Sequence, residues 1–134
     1  MNRWMTSLLF CVALCTVSAA QTAPQTAPVD ADWTAPAKEA ARQNPLASKP
    51  QLAAGGQKVF QRSCAVCHGD EAHRGAAKAP DLASATVQSE SDGALFWKIT
   101  NGNARKSSMP SWGSLPEPQR WQLVLYIRSL AERK

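Results

Sequence analysis

Apolar positions recur along this chain with the period of a helix, and no run alternates with the period of a strand. From Leu52 to Cys64, residues Gly56, Val59, Phe60 and Ser63 fall at i, i+3, i+4 and i+7, which predicts one buried helical face. SESDGALFWKITNG predicts a second helix, with acids in its first turn and Asn101-Gly102 as its stop. The clearest stripe is the last, where Leu123, Tyr126, Ile127 and Leu130 repeat the same spacing. Ahead of it, Ser114 and Glu117 flank Leu115 and Pro116 in the pattern of a capping box. Between Gly69 and Gln88 the chain is rich in Ala, Gly and Pro and shows no clear helix. So long a loop in a small domain is expected only where it wraps something other than protein. The pattern predicts an all-α fold.

The two ends of the pattern differ in kind. Residues 1–20 carry Arg3, the apolar run LLFCVAL and small residues at Ser18 and Ala20, the anatomy of a secretory signal peptide cut after Ala20. The run is short of the roughly 20 apolar residues a membrane span needs, so membrane attachment is expected only if the leader is retained. Residues 21–50, opening with QTAPQTAP, predict an extended, mobile tether too poor in apolar surface to offset its ordering entropy. Within it PAKEAARQ is a candidate short helix, and Trp33 a candidate docking residue with no evident target. Residues 51–134 are then the folded domain, small enough to need a disulfide, metal or cofactor to complete its core.

Export alters the composition usefully. Of four cysteines, Cys11 and Cys15 leave with the leader, and only Cys64 and Cys67 remain. An unengaged pair in an oxidising compartment tends to form a disulfide. Loss of Arg3 leaves 14 basic against 10 acidic residues, so the formal charge of +5 becomes +4. That excess is modest, and an exported protein has little contact with nucleic acid, so nucleic-acid binding is not expected.

Both cysteines lie in SCAVCHGD, residues 63–70, with His68 directly after the second. Three chemistries use such a cluster. A thioredoxin-type redox pair needs a preceding strand and a βαβ context, and has no use for the histidine. A structural zinc site needs four ligands, and Cys64, Cys67, His68 and His73 lack the usual spacer between pairs. Haem attachment through C-x-x-C-H uses every residue: two thiols add to two vinyl groups as thioethers, and the histidine binds iron from the same side. One covalently bound haem c is the cofactor expected.

GQKVFQRSCAVCH, residues 56–68, resembles the N-terminal helix and haem site of class I (monohaem) cytochromes c of the exported bacterial type. QLVLYIRSL, residues 122–130, is similar to the C-terminal helix of that family. The resemblance implies a small cytochrome c fold, with three to five helices around the haem, and sets Leu123 and Tyr126 against Gly56 and Phe60. APDL, residues 79–82, looks like the family's turn in which a proline carbonyl accepts the second ring nitrogen of the ligating histidine; that role falls to Pro80. The resemblance also implies an axial methionine in the loop before the last helix. Met109 in KSSMPSWG, followed by Pro110, matches it and is the only methionine left after the leader. His73 is the competing donor, and an exposed surface role is expected for it.

Weaker readings surround this centre. Trp97, Trp112 and Trp121 are candidates for the haem crevice, with core roles favoured for at least two. Leu82, Leu95, Phe96 and Ile99 fit either a haem wall or ordinary packing. Arg74, Lys78, Lys98, Arg105 and Lys106 are candidates for a basic rim that steers an acidic partner. Iron held by His68 and Met109 has no vacant position, so the expectation is a periplasmic one-electron carrier between redox proteins and not an enzyme. Two alternatives stay open: a dedicated cytochrome subunit of a larger dehydrogenase or oxidase complex, and a gas- or peroxide-binding haem protein with a displaceable sixth ligand.

Overall fold

A computed structural model describes residues 33–72, 79–103 and 109–131 of the 134-residue chain. The leader, the QTAP repeats, His73, Arg74, Lys78, Arg105 and Lys106 lie outside the described residues. Among those described, the elements are α1 (Ala37–Ala40), a 3₁₀ turn (Pro50–Leu52), α2 (Ala53–Ser63), α3 (Ala65–His68), α4 (Ala85–Gln88), α5 (Asp92–Asn101) and α6 (Glu117–Leu130). The fold is all-α, with three longer helices and three of a single turn.

The two amphipathic stripes meet. α2 packs chiefly on α6. Gly56, Val59 and Phe60 are buried on one side, and Leu123, Tyr126, Ile127 and Leu130 on the other. The Phe60 and Tyr126 rings lie 5.1 Å apart at 47°, a tilted pair that fills the seam beside the glycine. α5 completes the core with Leu95, Phe96 and Ile99, and Phe96 stacks on Trp121 with centroids 3.9 Å apart. Leu82 and Val87 close it from the loop side.

Local chemistry sets the helix ends. The Ser91 hydroxyl accepts from the Ala94 N–H at 3.2 Å and starts α5. Gly102 ends it at φ +64°, a conformation that glycine adopts without steric cost. The stretch expected to lack helix holds the short α4, which begins at Ser84; its hydroxyl accepts from the Val87 N–H. The expected capping box at Ser114 and Glu117 does not form. α6 starts at Glu117 after Pro116, with no side-chain cap. A start at Ser114 would put Pro118 where the first helical N–H is needed; a start at Glu117 puts it in the first turn, where none is needed.

The segment expected to be an extended arm is packed from Trp33 onward. Ala35 and Asn44 are buried, and α1 lies on α5. A Cβ at Gly93 would come within 2.8 Å of the Arg42 carbonyl oxygen and 2.9 Å of that of Ala40, so glycine lets this strap seat its backbone on α5. Asn44 Nδ2 donates to the Trp121 carbonyl, and Ser91 Oγ to that of Ala40. Arg42 spans three groups: it bonds Glu117 at 2.7 Å and its guanidinium lies over the Phe96 and Trp121 rings. Short Pro/Ala-rich sequence concealed this, because the strap is held by polar anchors and backbone contacts, with no apolar stripe of its own.

Candidate functional site

The cysteine–histidine cluster sits where α2 gives way to α3. The Cys64 carbonyl accepts from both the Cys67 and His68 N–H groups, at 3.1 and 3.0 Å, which winds the five residues into one tight turn. The cysteines are not joined to each other: Cys64 is half-buried against the core and Cys67 is exposed. Val66 between them is 85% exposed, so the turn offers the intervening side chain to solvent and Cys64 to the interior. Burial, reinforced by the neighbouring Cys67, pushes the Cys64 thiol up to about 11. A redox-active thiol has its pKa lowered. Cys64 is shifted the other way, and among the described residues only helices flank it, without the strand and βαβ unit that a thioredoxin-type pair needs.

His68 is oriented from behind. Its Nδ1 lies 3.4 Å from the Pro80 carbonyl oxygen. A carbonyl only accepts, so Nδ1 carries the proton and Nε2 keeps the lone pair, the tautomer a metal-binding imidazole requires. Burial holds the ring below its ordinary pKa, and the bond to Pro80 pulls partly the other way. Burial is the larger effect, and the net lowering leaves a neutral donor at pH 7. The ring also lies 6.4 Å from Phe60, which ties its position to the α2–α6 seam.

Met109 is half-buried and packs against the same core. Its segment is laid along the C-terminal turn of α5: the Asn103 N–H donates to the Met109 carbonyl at 2.9 Å, and the Trp112 N–H to that of Ile99 at 3.0 Å. Ser111 Oγ donates to the Thr100 carbonyl at 2.6 Å. The bonds to Ile99 and Thr100 satisfy carbonyls that a helix end leaves without partners.

The donor set fits a covalently attached porphyrin: two uncombined thiols one turn apart, a pre-oriented neutral imidazole and a thioether in a separate loop. Among the described residues, no group of three or more His, Cys, Asp and Glu is arranged to hold a bare metal ion. Two open clefts of about 540 and 490 Å³ border the strap, but none of these residues lines them, so they form no part of this site.

The surrounding expectations divide. Trp121 is core, 2% exposed, and donates its indole N–H to Glu117; Trp112 packs on the core's edge and Trp97 is half-buried. Leu82, Leu95, Phe96 and Ile99 all belong to the packed core. Lys98 does not stand free on a basic rim: it bonds Glu90 at 2.6 Å and lies 4.9 Å over the Trp33 ring. Trp33, whose target was unknown, docks within its own domain, its Nε1 donating to the Gly102 carbonyl at 2.9 Å. Sequence reasoning missed Arg128, which bonds Asp92 and the Gln88 and Glu90 carbonyls and so ties α6 to the start of α5. A lone arginine on the flank of an apolar stripe was the available signal.

An all-α domain built on this seam, with C-x-x-C-H at the end of its first long helix, is a c-type cytochrome of class I kind. The family profile described as "Cytochrome C oxidase, cbb3-type, subunit III" matches residues 51–127, more than half of the chain. The chain belongs to that family. It is also 36% identical over 87 residues to a protein of Rhizobium leguminosarum bv. viciae described as "Cbb3-type cytochrome c oxidase subunit FixPc". The match takes in 62% of this chain and spans 29% of that relative's length. Haem c, covalently bound, is the cofactor of such a domain.

Proposed function

We propose that this protein is the haem c electron-transfer subunit of a terminal oxidase complex of the cbb3 type, exported to the periplasmic side and not catalytic by itself. In this reading Cys64 and Cys67 would hold haem c through thioethers, His68 Nε2 and Met109 Sδ would bind its iron, and the Pro80 carbonyl fixes the His68 tautomer. Haem c supplies a one-electron iron couple, which a soft, neutral thioether biases towards the reduced form. The chain contributes the rest. Pro80 orients the imidazole, the bonds of the Met109 segment set its place, and the α2–α6 core excludes water from behind His68.

The observation that carries the oxidase reading over a free carrier is the match of residues 51–127 to an oxidase subunit family. The relative printed as an oxidase subunit supports it. Tagged chain isolated from gently solubilised membranes of its own organism is expected to bring with it oxygen consumption driven by a reduced electron donor. Recovery of the haem-loaded chain alone and wholly in the soluble fraction would refute the subunit role and leave the free carrier. Rapid carbon monoxide binding to the reduced protein at neutral pH would instead favour a displaceable sixth ligand.

A further inference from the structure

Trp33 lies outside the residues that match the family, yet its indole reaches the turn that carries the Met109 segment. The connection runs through a single peptide group. The carbonyl that Trp33 Nε1–H binds belongs to Gly102; the N–H of that same peptide belongs to Asn103 and donates to the Met109 carbonyl. One rigid plane is therefore held from both sides, at 2.9 Å each. Rotation of that plane breaks both bonds together, and amide bonds in series polarise and strengthen one another.

The chain crosses this plane closely. Gly102 ends α5 at φ +64°, and a Cβ there would come 2.6 Å from the Pro110 carbonyl carbon and the Ser111 nitrogen. The Met109–Ser111 backbone thus crosses directly over a glycine, the residue most free to rotate. The Trp33 ring is itself fixed, since Lys98 lies over its face and is anchored by Glu90. A water molecule replacing the indole would satisfy the carbonyl but would not hold its direction.

We infer that Trp33 is a positioning residue for Met109, acting through the Gly102–Asn103 peptide. The inference rests on the reading of Met109 as an iron donor. Its consequence is that the strap, beyond adding stability, restrains the segment from swinging away and leaving the iron open to an outside ligand.

The test uses the full-length, haem-loaded ferric protein and exogenous imidazole as the competing ligand. Apparent affinity for imidazole rises with the fraction of molecules whose Met109 segment has swung away. Trp33→Phe keeps a six-membered ring beneath Lys98 and removes the N–H together with the pyrrole ring. Its apparent imidazole Kd is expected to fall about three- to tenfold, the weight of one ordinary hydrogen bond. Asn44→Ala breaks a different tie of the same strap; it is expected to lower the melting temperature and leave imidazole binding unchanged. An unchanged Kd in Trp33→Phe, or an equal fall in Asn44→Ala, would overturn the inference. Should the phenylalanine variant not fold, benzothienylalanine at position 33 keeps the bicyclic ring without the N–H, and the same outcomes decide. Met109→Ala separates the two readings. If it binds imidazole no tighter than wild type, Met109 was never the donor and the inference falls with that reading.

Discussion

Gly56 lies directly against the backbone of Gln122: a Cβ at this position would meet the Gln122 carbonyl closer than real carbon atoms approach, and the Leu123 nitrogen at 3.0 Å. The approach of α2 to α6 therefore depends on a missing side chain. The atoms in the way are helical backbone, which cannot step aside as a flexible side chain would. Gly56→Ala is expected to cost about 1–3 kcal/mol, the range for overpacking a tight site. Because His68 and Phe60 ride on the same seam, the cost is expected to show in the haem spectrum as well as in the melting temperature. Gly55→Ala is the control, since the neighbour there is the flexible end of the Gln122 side chain.

The buried Cys64 thiol predicts an asymmetric reactivity before haem is attached. With its pKa at about 11 against an ordinary 9.0, its thiolate fraction at neutral pH is roughly a hundredfold below that of a free cysteine. Iodoacetamide is expected to label exposed Cys67 first in the folded, haem-free chain, and both residues at similar rates in urea. In the haem-loaded protein neither is expected to react. Cys64→Ala and Cys67→Ala are each expected to keep haem through one thioether on a denaturing gel, and the double variant to lose it. Two reactive thiols in the haem-loaded protein would contradict the attachment.

The strap has an acid-sensitive anchor. Glu117 accepts from the Trp121 indole and from Arg42, and these bonds hold its carboxyl below the ordinary 4.5. A folded-state pKa lowered in this way contributes stability above the unfolded value, and the contribution is lost as pH falls through the folded one. Glu117→Gln is expected to melt below wild type at pH 6–7 and to converge with it in acid. Thermal melts of the two proteins from pH 7 down to pH 3 provide the check. The carboxyl is exposed, so the gap is expected to shrink in high salt.

Gly93 is the strap's counterpart to Gly56. An added methyl would press on the Glu39, Ala40 and Arg42 carbonyls. Gly93→Ala is expected to lift the strap from α5 while leaving α2 and α6 packed. Limited proteolysis is then expected to cut among residues 34–50 faster than in wild type, with a loss of about 1–3 kcal/mol in stability. A variant as resistant to protease as wild type would show that the strap tolerates displacement.

Periodicity was a reliable guide wherever burial is apolar and contiguous. The stripe at Leu123, Tyr126, Ile127 and Leu130 is buried as expected, and so are Gly56, Val59 and Phe60. The Asn101-Gly102 stop ends α5 as read. The approach of His68 to Pro80 was legible because APDL resembles the family's turn in which a proline carbonyl faces the histidine ring. What escaped depends on single polar anchors: Asn44 on the Trp121 carbonyl, Arg42 over two rings, and Arg128 on the start of α5. These leave no periodic trace. Gly93 did leave a signal, since a glycine near the start of a helix costs about 0.5–1 kcal/mol against alanine and implies a close neighbour. The capping-box reading failed because it weighed Ser114 and Glu117 without the proline at 118.

The strap gives this molecule two different sets of edges. The family match starts at residue 51, yet one side of the Phe96–Trp121 stack is covered by Arg42, from ahead of that point. A chimaera spliced at that border would leave two aromatic rings open to water on that side, and so would begin life as a sticky protein. Grafts meant to transplant this domain into another protein should be cut ahead of Trp33 instead.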